Sequence, residues 1–218
     1  MPRHGAVVRI AHWTIALSAL ALLVTGLEIL ISHPRFYWGE NGTSLTPPLF
    51  SFPIPSSRRT VPTGYGYVLP DQNGWSRSLH FEAAWALVLI GALYVIHGLL
   101  SGHIANDLSP TGSARSTGSD EAWTYNRLQR LTYLAVIFLM FPLIVWTGLA
   151  MSPAFVSAIP ATVTVFGGRQ TARTLHFFLS VALVLFVIAH VAMVWRAGFV
   201  RRVTAMITGR STPEKAAV

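Results

Sequence analysis

Four long apolar stretches run along the chain, at approximately 10–31, 79–100, 128–151 and 174–195. Polar segments rich in Pro, Gly, Ser and Asn separate them. A helix that crosses a membrane needs about 20 mostly apolar residues, and each stretch reaches that length. The third contains Pro142, which kinks a membrane helix without excluding it. The segments 32–78, 101–127 and 152–173 read as loops, and no internal repeat or low-complexity tract is evident. The pattern predicts an all-α fold, an integral membrane four-helix bundle occupying 1–200, with the external loop 32–78 inside it and a basic cytoplasmic tail at 201–218.

The first stretch has the basic start of a signal peptide (Arg3, Arg9), but its apolar run continues to Ile31. That is longer than a usual signal core, and no small-residue cleavage site follows, so it is expected to be a retained helix. Composition agrees with a membrane protein. Of 218 residues, 52% are hydrophobic and 11% charged, where a soluble domain carries about a quarter charged. The net charge of +8 is accompanied by no basic helix or stacking motif for nucleic acid. It reads instead as loop charge beside lipid. With both termini inside, the cytoplasmic face carries Arg3, Arg9, Arg115, Arg127, Arg130, Arg196, Arg201, Arg202, Arg210 and Lys215. The other face carries Arg35, Arg58, Arg59, Arg77, Arg169 and Arg173, a bias of ten against six that makes the 32–78 loop external. Its aromatic and Gly/Pro content (Tyr65-Gly-Tyr67, Trp75) suits the docking of a partner.

The chain has no cysteine. That excludes an iron–sulfur cluster, covalently attached haem, thiolate-ligated haem and disulfides. Redox metal would fall to the eight histidines. Polar groups within a bilayer are costly and mark function, and His12, His80, His97, His176 and His190 lie in or at the edges of the apolar stretches. His4, His33 and His103 lie outside them. His176 and His190 are fourteen residues apart, nearly four turns, so they leave one face of the last helix about 21 Å apart. Each is level with a histidine from another helix, and two imidazoles make an axial pair for haem iron. Depth pairs His80 with His176 on the external side and His12 with His190 on the cytoplasmic side, giving two haems b. His97 competes for the cytoplasmic place, but its seventeen-residue step from His80 turns it about 100° away. Three readings stay open for His97: a group behind a ligand or a substitute for one, part of a quinone site, or an interfacial residue.

Arg9-Ile-Ala-His12, Arg77-Ser-Leu-His80 and Arg173-Thr-Leu-His176 each place an arginine three residues before a candidate ligand. Residues at that spacing share a helix face, so Arg9, Arg77 and Arg173 suit haem propionates as charged donors. Gly26, Gly91 and Gly148 allow close approach of a helix or a flat macrocycle. Trp13, Trp85, Trp146 and Trp195 are expected as interface anchors.

The opening Arg9-x-x-His12-Trp13, the Thr25-Gly26-Leu27 that ends the first helix, and the Arg173-x-Leu-His176 to His190-Val191 segment resemble the bacterial dihaem cytochrome b561-like membrane subunits. These include the membrane subunits of formate dehydrogenase, nickel–iron hydrogenase and thiosulfate reductase. The resemblance covers nearly the whole chain, and the long external loop looks most like the thiosulfate reductase group. It implies that His12, His80, His176 and His190 are axial ligands to two haems b. It further implies a membrane-anchoring electron carrier in the cell inner membrane, between an external catalytic redox subunit, molybdoenzymes among the candidates, and a quinone near the cytoplasmic haem. The expected partners are therefore lipid, quinone and that subunit, not nucleic acid, with self-association into a homo-oligomer open. The loop is longer than in formate dehydrogenase subunits, so the partner is expected to differ. A rival reading is a self-contained superoxide:quinone oxidoreductase of the small b561 type, with Arg58, Arg59 and Arg77 attracting the anion. A haem-free histidine-dependent transporter is a third, but it gives no reason for the fourteen-residue pair.

Overall fold

The computed structural model describes residues 5–43, 45–53, 73–102 and 127–209. Four helices within it are long and apolar enough to cross a membrane: Ala6–Ser32, Gly74–Leu100, Leu131–Ala150 and Arg169–Arg196. Helix α1 (Ala6–Ser32) provides the first span and α2 (Asn73–Leu100) the second. The second thus starts six residues before the end of the segment 32–78 assigned to the loop, because Asn73 to Ser78 extend its polar first turns. The third span is built from α3 (Arg127–Ala135), a π-helical turn (Val136–Met140) and α4 (Phe141–Ala150). Short helices α5 (Pro153–Ala158) and α6 (Ala161–Thr164) lead to the fourth span, α7 (Arg169–Arg196). A last helix, α8 (Phe199–Thr208), takes up much of the segment assigned to the tail.

The π turn has an identifiable cause. Pro142 carries no N–H, so the ladder is interrupted there, and Phe141 N–H reaches back to Val136 O instead. Such one-turn insertions re-phase the helix that follows and are common at functional sites.

The burial pattern is that of a bundle made for lipid. Leu17 (66% exposed), Leu89 (62%) and Leu185 (61%) face outward, while the largest fully buried side chains are Thr25, Thr147, Thr174 and Ser76. Without water outside, apolar groups gain nothing by turning inward. Small polar residues can then sit at the helix contacts, where they bond a neighbour. The spans pack as two antiparallel pairs, α1 along α2 and α4 along α7.

The loop that follows the first span is tied to the start of the fourth. Strands β1 (Arg35–Phe36) and β2 (Phe50–Ser51) pair antiparallel, Phe36 opposite Phe50. The next residues cap α7: Gln170 N and Thr171 N donate to Gly39 O, Arg169 N donates to a Glu40 carboxylate oxygen at 2.9 Å, and Thr174 Oγ1 donates to the Tyr37 carbonyl at 2.8 Å. These satisfy donors that a helix start leaves open. Gly168, at φ +132°, makes the approach possible, since a Cβ there would fall 2.3 Å from the Gly39 carbonyl carbon. Phe177 and Phe178 of α7 join Phe36, Phe50 and Phe52 in one aromatic cluster.

At the opposite end, Gly198 (φ +92°) turns the chain into α8, which Gly209 (φ +78°) closes. Arg9 donates to Ile207 O at 2.9 Å and Trp13 Nε1 to Met206 O at 3.3 Å, so the last turn of α8 is fastened to the first turns of α1. A cation at a helix C-terminus is favourably placed against its free carbonyls.

Candidate redox site

The structure brings together two pairs of histidines. The rings of His80 and His176 lie with centroids 6.4 Å apart, and those of His12 and His190 also lie 6.4 Å apart. Each pair joins the α1–α2 half of the bundle to α7, the His80 pair at the end that carries the 32–53 loop and the His12 pair at the end that carries α8. His97 joins neither pair. It lies in the last turn of α2 with its side chain exposed.

Three of the four rings are held by hydrogen bonds at Nδ1. Thr25 Oγ1 donates to Ala21 O at 2.7 Å and lies 2.8 Å from His80 Nδ1. Its one proton is used on the carbonyl, so it accepts from the histidine. Thr147 repeats the arrangement, with Oγ1 2.9 Å from Leu143 O and 3.0 Å from His176 Nδ1. The same Nδ1 lies 3.1 Å from Ile144 O, and a carbonyl can only accept. His80 and His176 therefore carry their proton on Nδ1 and keep the Nε2 lone pair for a metal. His190 Nδ1 lies 3.3 Å from the Tyr133 hydroxyl, and Phe186 stacks on its ring at 6.0 Å. Trp13 packs edge-on against His12 at 5.1 Å.

The donor set fits haem. A metal–imidazole bond is about 2 Å long and the ring centre lies about 1 Å behind its nitrogen, so two imidazoles on opposite sides of one iron have centroids about 6 Å apart. Among the described residues no three metal-binding side chains converge. Each site offers two imidazoles, which suits an iron whose other ligands come with a macrocycle. A glycine lies beside each of two rings: a Cβ on Gly26 would stand 3.7 Å from His80, and one on Gly148 3.5 Å from His176, both ordinary contact distances.

The arginines differ from one another. Arg173 donates to Arg35 O, lies over the Phe36 ring at 5.0 Å, and has its Nε buried with no hydrogen-bond partner among the described residues. Arg9 Nε is likewise buried without one, although Nη1 is engaged by Ile207 O. Arg77 is exposed near the start of α2. Buried guanidinium N–H groups that lack an acceptor, one turn from a ligand candidate, suit a carboxylate. Of the aromatics expected at interfaces, Trp85 and Trp195 are half or more exposed, whereas Trp13 is bonded to α8. His4, His103, Arg3, Arg58, Arg59, Tyr65, Tyr67, Arg115, Arg210 and Lys215 lie outside the described residues, as do the side chains of Arg127 and Arg130.

Sequence reasoning missed Thr25, Thr147 and Tyr133 as partners of the histidines, although for the two threonines a short internal repeat carried the signal. Arg77-x-Leu-His80-Phe81 leads to Ala86-Leu-Val-Leu89, and Arg173-x-Leu-His176-Phe177 leads to Ala182-Leu-Val-Leu185: eight of thirteen positions agree. Thr25-Gly26-Leu27 likewise matches Thr147-Gly148-Leu149. The His80–His176 site is thus two copies of one threonine–glycine and histidine unit. The repeat lapses at the other site, where the positions matching His190 and His12 hold Tyr94 and Leu134.

Comparison with known proteins places this geometry in a family. The family described as prokaryotic cytochrome b561 matches residues 3–209. The chain is also 27% identical over 223 residues to a protein of Azospira oryzae described as a putative protein-methionine-sulfoxide reductase subunit, YedZ1, covering 94% of this chain and 96% of that one.

Proposed function

Because the chain belongs to the prokaryotic cytochrome b561 family, an integral membrane electron-transfer family that binds haem b, we propose that it is a dihaem subunit linking an external oxidoreductase to the quinone pool. His80 and His176 hold one haem b, and His12 and His190 hold the other. The observation that carries this reading is the pair of equal 6.4 Å histidine separations, each spaced for one iron. Arg173 and Arg9 serve the propionates through their buried Nε groups, and Arg77 does so from the external rim. Both termini lie on the cytoplasmic side.

When bound, haem b supplies reversible one-electron chemistry at each site. The chain's own part is to fix the ligands. Thr25 and Thr147 hold the Nδ1 protons of His80 and His176, and Gly26 and Gly148 lie against the same two rings. Leucine-rich outer faces keep water from the imidazoles, which sustains the low dielectric around them. The Phe36–Phe50 hairpin and its aromatic cluster fasten the external loop over His176, where the catalytic partner docks. The relative's name points to a partner of the methionine-sulfoxide reductase class. Neither match favours thiosulfate reductase in particular. Quinone is expected at the His12–His190 side, reached from lipid.

Purification of the chain with its co-purifying partner, followed by haem quantification and reduction by a quinol analogue, tests this reading. Two haems b per chain, reducible by quinol or oxidisable by quinone, are expected. A folded chain without haem sinks the proposal, and haems inert to both quinone and quinol sink its quinone arm.

A further inference from the structure

The third span carries a second ladder alongside the histidines. Tyr133 and Thr147 are fourteen residues apart, the same spacing as His176 and His190. The two helices are antiparallel, so Thr147 meets His176 at 3.0 Å and Tyr133 meets His190 at 3.3 Å. Phe186, one turn before His190, packs edge-on against Tyr133 at 6.1 Å and stacks on the imidazole, which closes a three-ring cluster. The π turn begins three residues after Tyr133 and lies between it and Thr147, setting the phase in which both point at α7.

We propose that Tyr133 is a positioning residue that sets the reduction potential of the cytoplasmic-side site by accepting a hydrogen bond from His190 Nδ1. The inference rests on the dihaem reading above. A neutral imidazole that gives Nε2 to iron must carry its proton on Nδ1. The phenol oxygen facing that proton is then an acceptor, whatever else its own hydrogen meets. An acceptor on the distal N–H makes the imidazole a more basic ligand, which favours the ferric over the ferrous state and lowers the potential. The phenol thus does at one site what threonine and carbonyl oxygens do at the other.

Tyr133→Phe removes the acceptor and keeps the ring against Phe186. Potentiometric titration of the purified dihaem protein should show one couple shifted upward by about threefold to tenfold in its reduction equilibrium, or about 30 to 60 mV for one electron, with the second couple unmoved. Tyr133→Gln, which restores an acceptor oxygen, should return the couple towards wild type. Two haems with both potentials unmoved in Tyr133→Phe overturn the proposal while leaving the dihaem reading standing. Fewer than two haems in the wild type would sink that reading itself. Should Tyr133→Phe fail to retain both haems, fluorotyrosine at position 133 keeps the shape and weakens the oxygen as acceptor. It should raise the same potential by a smaller factor, and no movement there overturns the proposal.

Discussion

Thr25 Oγ1 lies 2.8 Å from His80 Nδ1 and has already given its proton to Ala21 O, which fixes the direction of the bond between them. Thr25→Val removes the acceptor and leaves a buried imidazole N–H unsatisfied, at a cost of about 1–3 kcal/mol. The couple of the His80–His176 site should move to higher potential for want of that acceptor. Thr147→Val should move it less, because His176 Nδ1 keeps the Ile144 carbonyl at 3.1 Å. Potentiometry of the two variants side by side checks the order. A larger shift for Thr147→Val would contradict the assignment of the bonds.

Gly26 and Gly148 face the same two rings. An added Cβ would stand 3.7 Å from His80 or 3.5 Å from His176, which is ordinary contact, so Gly→Ala should keep both haems. Gly148→Val carries two further methyls into the space beside the imidazole. It is expected to lose the haem of the His80–His176 site, halving the haem-to-protein ratio, with the His12–His190 site intact. An unchanged ratio in Gly148→Val would show that the glycine serves helix packing alone.

The four spans were legible because lipid leaves no choice: about 20 apolar residues in a row have one common use. The meeting of His80 with His176 and of His12 with His190 was legible too, from alternating direction and a fourteen-residue spacing, and helical phase kept His97 apart. The bonds behind the histidines were not. A threonine in an apolar helix usually bonds its own carbonyl four residues back. Thr25 and Thr147 do so, and only the neighbouring helix reveals that each oxygen also receives a histidine. The shared Thr-Gly-Leu and Arg-x-Leu-His-Phe units carried that information, but they are short and separated by unequal loops. The helix at Phe199–Thr208 went unread because its arginines looked like tail charge, although its apolar positions recur at helical spacing.

The loop after α1 approaches the start of α7 most closely at one backbone contact. Gly168 has φ +132°, and a side chain there would strike the backbone of Gly39 and Glu40 at 2.3–2.4 Å. Gly168→Ala should force the loop off the start of α7 and cost about 2 kcal/mol or more. Loss of the Gly39 and Glu40 caps loosens the first turns of α7, two turns from His176. A thermal melt in detergent, followed by haem absorbance, is expected to start several degrees lower than wild type, with the haem of the His80–His176 site released first. Equal release of both haems at the wild-type temperature would show that the cap does not support that site.

Haem content of single and double ligand variants tests the central claim most directly. The wild type should hold two haems b per chain by reduced-minus-oxidised spectroscopy and extraction. His176→Ala and His190→Ala should each hold one, with different residual potentials, and the double variant none. Retention of two haems by either single variant, or of any haem by the double variant, would contradict the account.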